Sequence, residues 1–391
     1  MTNNEVLTSV FNIQHSVFDI NLKYMQNWFN ISDAENLATP SLVLYPDRVK
    51  HNLELVKSMI DDVARLRPHV KTHKCREATL LCIAAGINKF KCATIAEAEM
   101  LGMCNALDVL LAYQPVGPNI HRFIDLIINY PLTQFSCLVD NPSIAAQISG
   151  AALKRKIIIN VLIDINCGMN RTGILPDGAL QLYHYCRHLD GIQVLGLHAY
   201  DGHIHDTDFA ERELKCNAAY KPVEEVAEKL KQEGIEPLVV VGGTPTFPIH
   251  AKRKDVECSP GTFIYWDDGY GQACAGQQFL PAALVISRIV SLPAENRICT
   301  DLGHKAVAAE NILQKRVRFL NAPDLIPVSQ SEEHLVLEAP KGHQYKIGDV
   351  LYGLPYHICP TVALHQSAVT IEDNNISGQW ETIARNRKIN F

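Results

Sequence analysis

Short apolar segments alternate with longer amphipathic segments along the first two thirds of the chain. We expect strands at residues 66–71, 89–94, 108–112, 135–139, 157–163, 192–200, 237–241 and 256–259. Between them, helical spacing of apolar positions predicts helices at residues 75–85, 96–103, 120–129, 142–153, 179–189 and 209–233. Eight short apolar strands with intervening helices predict a (β/α)8 barrel. An open, doubly wound parallel sheet is the alternative, and the count of eight favours the barrel.

The pattern changes after residue 270, where strand-like segments follow one another with few helical stretches between them. These segments are residues 282–290, 297–302, 316–320, 334–338, 349–352, 361–365, 368–372 and 379–384. The fold class predicted is therefore α/β, a (β/α)8 barrel over residues 38–275 with a second, all-β C-terminal domain over residues 276–391. The early strand at 41–45 is expected to join the second domain's sheet, and residues 1–37 to form a helical extension.

Composition narrows the functional classes. Hydrophobic residues make up 47% of the chain and charged residues 20%, as in ordinary globular proteins. A net charge of −6 without a Lys/Arg-rich run predicts no nucleic-acid partner. The first thirty residues lack the basic start and apolar core of a signal peptide or membrane span. The twelve cysteines are scattered singly, which predicts buried, reduced thiols and a cytoplasmic protein.

The segment Arg67-Pro68-His69-Val70-Lys71-Thr72-His73-Lys74 holds the first candidate catalytic residue. Lys71 follows an apolar strand and precedes a helix, so a rigid strand end fixes the position of its amine. Neighbouring positive charge favours the neutral amine that attacks a carbonyl. A basic turn on its own is more commonly a solvated surface feature. The remaining strand ends change that balance.

Unusual residues follow several of the other predicted strands, at the end where barrel enzymes carry their active sites. Gly- and Thr-rich turns after strands seven and eight occupy the usual phosphate position of this fold, where backbone N–H groups approach closely. A lysine, an arginine and a phosphate cradle at one barrel mouth predict pyridoxal 5'-phosphate, with Lys71 as the Schiff-base lysine. The strand-end candidates are Arg171, Tyr200, His203, His205, Gly243, Thr244, Gly261 and Thr262.

The motifs RPHVKTHK, CGMNRTG, AYDGH, GGTPTFP, SPGTF and HICPT resemble the fold type III pyridoxal-phosphate enzymes, in the branch of D-threonine aldolase and D-serine dehydratase. The resemblance covers roughly residues 38 to 385. It implies a homodimer in which Lys71 holds the cofactor and Arg171 lies near the cofactor's phenolic oxygen. It also implies that Tyr200 lies against the ring, with Gly243, Thr244, Gly261 and Thr262 around the phosphate.

His357 and Cys359 are the candidate metal ligands. Two positions apart on an expected extended strand, their side chains would point the same way. Such a pair alone is more commonly core packing, but the resemblance implies a divalent metal held by a His-x-Asp or His-x-Cys pair here. A thiolate ligand favours zinc, whereas a carboxylate would suit manganese or magnesium. The metal would act as a Lewis acid on a substrate hydroxyl.

The resemblance implies a lyase for small-molecule D-β-hydroxy-α-amino acids and leaves two reactions open. In aldol cleavage, His203 or His205 removes the hydroxyl proton; in dehydration, Lys71 removes the α-proton. The aldolases read A-Y-H-G-H-x-x-H at this place. Here Asp201 replaces the first histidine of that pattern and Asp206 replaces the last, with His205 one residue earlier. Ser259 stands where alanine racemases place an arginine, which argues against a racemase. A non-catalytic pyridoxal-phosphate carrier would lack the β-domain and the metal pair.

Overall fold

The computed structural model describes residues 28–391, which form two β-sheets. β1 (Ser41–Leu44) belongs to the second sheet. The first sheet is entirely parallel, and its seven strands lie in chain order from β2 to β8. They are β2 (Lys89–Cys92), β3 (Asp108–Leu111), β4 (Gln134–Val139), β5 (Ile159–Ile165), β6 (Ile192–Ala199), β7 (Leu238–Val241) and β8 (Glu257–Cys258).

The segment expected as the first barrel strand, residues 66–71, joins the two edges of this sheet. It makes two isolated bridges, Leu66 to Cys258 of β8 and His69 to Lys91 of β2. Pro68 has no N–H to donate, which interrupts a continuous ladder. Backbone hydrogen bonds of 2.8–2.9 Å still connect this segment to both edge strands. The parallel sheet therefore curls into the expected barrel, with this segment in place of the eighth strand.

A buried ion network supports this closure at the N-terminal end of the strands. The Arg67 side chain is 1% exposed and donates to Glu257 at 2.6 Å and to both carboxylate oxygens of Asp108 at 2.7 and 2.9 Å. Lys89 pairs with the other oxygen of Glu257. The closing segment, β2, β3 and β8 are thus connected by charge-assisted hydrogen bonds at one place.

The barrel interior is layered. Leu110, Leu138, Leu162 and Val240 form an apolar cluster inside the sheet. Because alternate side chains of a strand share a face, Asp164 of β5 points to the same interior as Leu162, one step nearer the C-terminal strand ends. The upper layer is therefore polar, whereas the layer below it is apolar.

Helices follow most of the barrel strands and pack their apolar faces on the sheet. Side-chain caps begin several of them, as where Thr94 accepts from the Glu97 N–H at 3.0 Å. The α-helices of the described chain are Pro46–Ser58, Arg76–Ala84, Ile95–Met103, Pro118–Asn129, Pro142–Lys154, Pro176–Arg187, Phe209–Gln232, Phe247–His250, Asp268–Ala273 and Ile358–Leu364.

The second sheet is mostly antiparallel and forms the β-domain. β1 lies within it, antiparallel to β9 and parallel to β15, so the start of the described chain is incorporated in its end. Its other strands are β9 (Ala283–Ala294), β10 (Arg297–Thr300), β11 (Val317–Phe319), β12 (Ile326–Gln330), β13 (Leu335–Glu338), β14 (Val350–Pro355), β15 (Ser367–Glu372) and β16 (Asn375–Glu381).

Four sequence-based boundaries were wrong. Of residues 361–365, expected as a strand, all but the last lie in the helix Ile358–Leu364, and β5 begins and ends two residues later than the expected 157–163. The exposed strand β12 was missed, and β16 begins four residues before the expected 379–384 and ends three residues before its end. The proposed helical extension falls mostly outside the described residues, which include only the 3-10 turn Ala34–Asn36 of it. Within residues 28–391, no helix is long and apolar enough to cross a membrane.

Candidate active site

Lys71 lies in the turn that follows the barrel-closing segment, at the C-terminal mouth of the barrel. Its backbone N–H donates to His69 Nδ1 at 3.2 Å, and the neighbouring Thr72 is fully buried. Three residues after Lys71, Lys74 adopts a positive φ of 52°, and its side chain pairs with the buried Glu97. This turn is therefore held on both sides of Lys71, and the amine projects from a fixed backbone.

One cavity of about 220 Å³ brings together three of the predicted cofactor residues, Lys71, Arg171 and Tyr200. The Lys71 Nζ lies 5.9 Å from the centroid of the Tyr200 ring, and the Arg171 Cζ lies 5.1 Å from it. Both cations thus face an aromatic ring. A cavity with a nucleophilic amine, an aromatic wall and a guanidinium suits a flat, anionic aromatic cofactor.

The two Gly/Thr turns meet beside this cavity. The Thr244 Oγ1 accepts from the backbone N–H groups of Gly261 at 3.0 Å and Thr262 at 3.1 Å. A Cβ on Gly243 would lie 2.9 Å from Cε2 of Tyr200, so only glycine lets this turn pack on the tyrosine ring. In this structure the two N–H groups donate to the Thr244 hydroxyl, and backbone donors and a hydroxyl in Gly-rich turns are the group types that bind a phosphate.

Ser259 gives an independent test of whether the residues fit pyridoxal phosphate. Its hydroxyl is buried and has no hydrogen-bond partner within residues 28–391. A buried polar group without a partner is costly, so an orphaned hydroxyl next to the phosphate turn indicates a missing ligand atom. This is the position that alanine racemases fill with an arginine facing the pyridine nitrogen. The site fits the cofactor, with a neutral hydroxyl at that place.

Cys359 places the predicted metal pair directly against the cofactor residues. Its Sγ lies 3.1 Å from the hydroxyl of Thr72 and 3.7 Å from that of Thr262. The expectation of an extended strand here was wrong, because His357 caps a helix and Cys359 lies in its first turn. Asp267 accepts from the Ile358 N–H at 3.0 Å, so a distant carboxylate holds this helix start.

The electrostatics of the pair suit a metal ligand. Burial alone would raise the pKa of the Cys359 thiol, but a hydrogen bond from His357 and the charge of Lys71 lower it below its usual value. The thiolate is the form that binds metals. Glu310 accepts from Nδ1 of His357 at 2.5 Å, which orients the ring and leaves Nε2 for another partner.

His203 and His205 are both exposed and line one shared cavity, but they differ in their relation to the metal pair. His205 lines a second cavity, of about 370 Å³, together with His357, Tyr200 and Gly243. His203 is exposed, with its ring against Gly168, and within the described chain it lines neither this cavity nor that of Lys71. Of the two histidines predicted as bases, the structure brings only His205 near the metal pair.

A further buried cluster lies behind Tyr200. Asp201 accepts from His250 Nε2 at 2.9 Å and from Thr246 Oγ1 at 2.9 Å, and the Cys216 Sγ lies 3.3 Å from His250 Nε2. Asp201, Cys216 and His250 are the one three-residue group within residues 28–391 with metal-ligand proximity. Arg253 approaches His250 Nδ1 at 3.1 Å, and arginine only donates, so Nε2 carries the proton given to Asp201. This contact indicates a hydrogen-bond network that ties the Tyr200 loop to the phosphate turn.

Three interior residues beside Lys71 escaped the sequence analysis: Lys91, Asp164 and His198. Asp164 Oδ1 lies 2.7 Å from His198 Nδ1, and Lys91 Nζ lies 3.5 Å from His198 Nε2. The sequence signal that could have identified these residues is a charged or polar side chain within a predicted strand. Lys91 fell within the expected strand 89–94 and was not singled out. Asp164 lay one residue beyond the end of the expected strand 157–163.

Comparisons with known proteins agree with this architecture. Residues 45–268 match the family of the alanine racemase N-terminal domain, and residues 282–371 match the putative serine dehydratase domain. The D-threonine aldolase of Arthrobacter sp. is 30% identical over 89% of this chain and 92% of its own length. The D-threo-3-hydroxyaspartate dehydratase of Delftia sp. (strain HT23) is 24% identical over 89% of this chain and 97% of its own.

A solved structure shares the whole fold. The D-threonine aldolase of Filomicrobium marinum superposes with a TM-score of 0.82 at 25% identity, covering 90% of this chain and 96% of that one. The relatives thus include both aldolases and dehydratases, and all of these are lyases.

Proposed function

Because the chain belongs to the pyridoxal-phosphate lyases that join an alanine racemase N-terminal domain to a serine dehydratase domain, we propose that it cleaves D-β-hydroxy-α-amino acids to glycine and an aldehyde. The observation that carries this proposal is the contact of Cys359 with Thr72, which sets the His-x-Cys pair beside Lys71. Dehydration to a 2-oxo acid and ammonia is the second candidate, because a dehydratase is among the relatives.

When bound, pyridoxal phosphate supplies an electron-withdrawing ring that accepts the electrons of the bond broken at Cα. Lys71 would hold the cofactor, and Tyr200 and Arg171 would position its ring. The turns at Gly243, Thr244, Gly261 and Thr262 would bind its phosphate. Their backbone donors are fixed by the strand ends, so the ring position follows from the fold.

A divalent metal at His357 and Cys359 would act on the substrate's β-hydroxyl, and the thiolate favours zinc over manganese or magnesium. The D-threo-3-hydroxyaspartate dehydratase offers a parallel. One of its solved variants, with a cysteine replaced by alanine, is described as the metal-free form. Another has a histidine replaced two positions earlier, which is the spacing of His357 and Cys359.

The position of His205 favours aldol cleavage. Its ring shares a cavity with His357, so it can take the proton of a hydroxyl held there while the Cα–Cβ bond breaks. In the dehydration alternative, Lys71 would remove the α-proton and the hydroxyl would leave. His203 is not among the residues that line this cavity, so we assign the base to His205.

The test is a substrate panel on the purified protein supplied with pyridoxal phosphate and Zn²⁺ or Mn²⁺. D-Threonine, D-serine and D-3-hydroxyaspartate are assayed for glycine and aldehyde, and in parallel for 2-oxo acid and ammonia. We expect glycine and acetaldehyde from D-threonine and no turnover of L-threonine. Oxo acid without glycine would establish the dehydratase instead, and rapid interconversion of D- and L-alanine would contradict both.

Two further measurements accompany the substrate panel. Borohydride reduction of the cofactor-loaded protein should fix the label on Lys71, and its recovery on Lys74 or Lys305 would refute the assignment of Lys71. We also propose a homodimer, which light scattering of the purified protein tests directly.

A further inference from the structure

The cavity that holds Lys71 contains a second lysine that the proposed reaction does not use. Lys91 of β2 is 2% exposed, and its Nζ lies 5.4 Å from the centroid of the Tyr200 ring. Lys71 and Arg171 lie at similar distances from the same ring. Three cationic side chains therefore surround one aromatic surface.

The charges of this cavity are not balanced within it. Its lining residues in the described chain include the three cations and two histidines but no carboxylate. A cavity of this kind is complementary to an anion, because the buried Lys91 loses water without gaining a counter-charge from the cavity wall, and Lys71 and Arg171 add positive charge beside it. The flat wall of Tyr200 suits an anion carried on a planar ring.

The surroundings of Lys91 also leave N–H donors of its amine available to a ligand. His198 Nδ1 donates to Asp164 at 2.7 Å, so its Nε2 is the acceptor that faces Lys91 at 3.5 Å. This long contact is the one hydrogen bond of the Lys91 amine found within residues 28–391. An ammonium has three donors, so two remain for a ligand in the cavity.

Burial, with the charge of Lys71, lowers the pKa of Lys91 to about 7 in the absence of ligand. The amine is thus costly to keep charged in the free protein, and a bound anion would stabilise its charged form.

We propose that Lys91 is a cofactor-binding residue that donates to the ring oxygen of pyridoxal phosphate, and that Asp164, acting through His198, positions it. The proposal rests on the proposed cofactor site. It adds to that site a residue from the barrel interior, on a different strand from those that hold the phosphate.

The test measures cofactor binding instead of turnover. Pyridoxine 5'-phosphate, which has no carbonyl to react with Lys71, and its analogue without the ring hydroxyl are titrated by calorimetry. Wild-type protein, Lys91→Met and Lys89→Met are compared. Lys89 is the matched control, since it lies on the same strand, loses the same charge and pairs with Glu257 outside the cavity.

Lys91→Met should weaken binding of pyridoxine phosphate by about 10- to 100-fold, the effect of one hydrogen bond to a charged group. It should also abolish most of the preference for the ring hydroxyl, whereas Lys89→Met keeps both. In the cofactor-free protein, Lys91→Met should not lower the unfolding midpoint, because it removes a poorly paired buried amine. Asp164→Asn should reduce the preference in part.

Unchanged affinity and unchanged ring-hydroxyl preference in a folded Lys91→Met protein would overturn the proposal. A lowered unfolding midpoint with unchanged affinity would likewise overturn it and make Lys91 a structural residue. Failure of the proposed function is distinguishable, because the wild-type protein itself would then not bind the phosphate analogues.

Discussion

The thiol of Cys359 lies 3.1 Å from the hydroxyl of Thr72, the residue that follows Lys71. One residue belongs to a helix that follows strand β14 of the β-domain and the other to the barrel mouth, so the two domains meet at the proposed reacting atoms. The active site is thus not a property of the barrel alone. This contact brings a residue of the β-domain beside the lysine-bearing turn of the barrel.

The same contact gives the first testable prediction. Cys359→Ala removes the thiolate and should abolish stoichiometric metal binding, with a loss of turnover of at least about 100-fold, since a metal supplies several kcal/mol of charge stabilisation. Cofactor absorbance should persist, because other residues hold the cofactor. Metal analysis and spectra of one preparation check both points. Cys299→Ala, in β10 of the same domain, is the control. Full activity of metal-free Cys359→Ala would show that His357 and Cys359 only pack in the core and bind no metal.

Glu310 should raise the metal affinity of the site without being a metal ligand itself. Its carboxylate accepts from His357 Nδ1 at 2.5 Å, and partners of this kind orient a histidine ligand. We expect Glu310→Gln to weaken metal binding by about 10- to 100-fold. A titration of the metal-free protein with Zn²⁺ measures this. Glu332→Gln, an exposed carboxylate paired with Lys305, should leave the titration unchanged. Equal affinities in all three proteins would show that Glu310 does not support His357.

Arg67 should carry much of the stability of the closed barrel. Arg67→Met leaves the carboxylates of Glu257 and Asp108 without their buried partner, which costs about 3–5 kcal/mol of unfolding free energy. Urea unfolding followed by circular dichroism provides the measurement. Lys252→Met breaks an exposed pair with Glu213 and should cost less than about 1 kcal/mol. A similar small loss for Arg67→Met would mean that the network is dispensable.

The sequence predicted the strand-end positions well because the barrel geometry determines them. Lys71, Arg171 and Tyr200 each follow an apolar segment, and parallel strands bring such positions to one mouth. The Gly/Thr turns were recognisable for the same reason. What a local pattern could not give is contact across the barrel, and Lys91, Asp164 and His198 lie on three different strands. Their association depends on the closure of the sheet.

The helix that carries Cys359 shows the opposite case, in which tertiary contacts override local preference. The β-branched residues Thr361 and Val362 favour a strand on propensity. The helix begins instead because Asp267 accepts its first free N–H, and Pro360 is tolerated within the first turn. Asp267 lies some ninety residues earlier, so no window of local sequence contains this cause. His357 and Cys359 stay predicted metal ligands, but the backbone expected for them was wrongly assigned.

His73 should make the protein sensitive to acid. It is buried at 3% exposure, and burial lowers its pKa from 6.5 to about 3, so the folded protein holds it neutral. Its Nδ1 lies 3.3 Å from the Cys75 backbone N and 3.2 Å from the Cys75 carbonyl oxygen, and the burial of the ring outweighs the hydrogen bond that the charged form would gain. Because the folded pKa lies below the unfolded value, the stability due to neutral His73 is complete above pH 6.5. It is lost progressively as the pH falls from 6.5 towards 3.

His73→Asn keeps an acceptor near the Cys75 N–H but has no proton to take up, so its stability should fall less steeply with acid. We expect the slope of unfolding free energy against pH, between pH 6 and 4, to decrease by up to about 1.4 kcal/mol per pH unit. Urea unfolding at pH 7.5, 6, 5 and 4 measures this slope for both proteins. His188→Asn, a change at an exposed histidine, is the control and should follow the wild-type curve. Parallel curves for wild type and His73→Asn would show that His73 does not limit stability in acid.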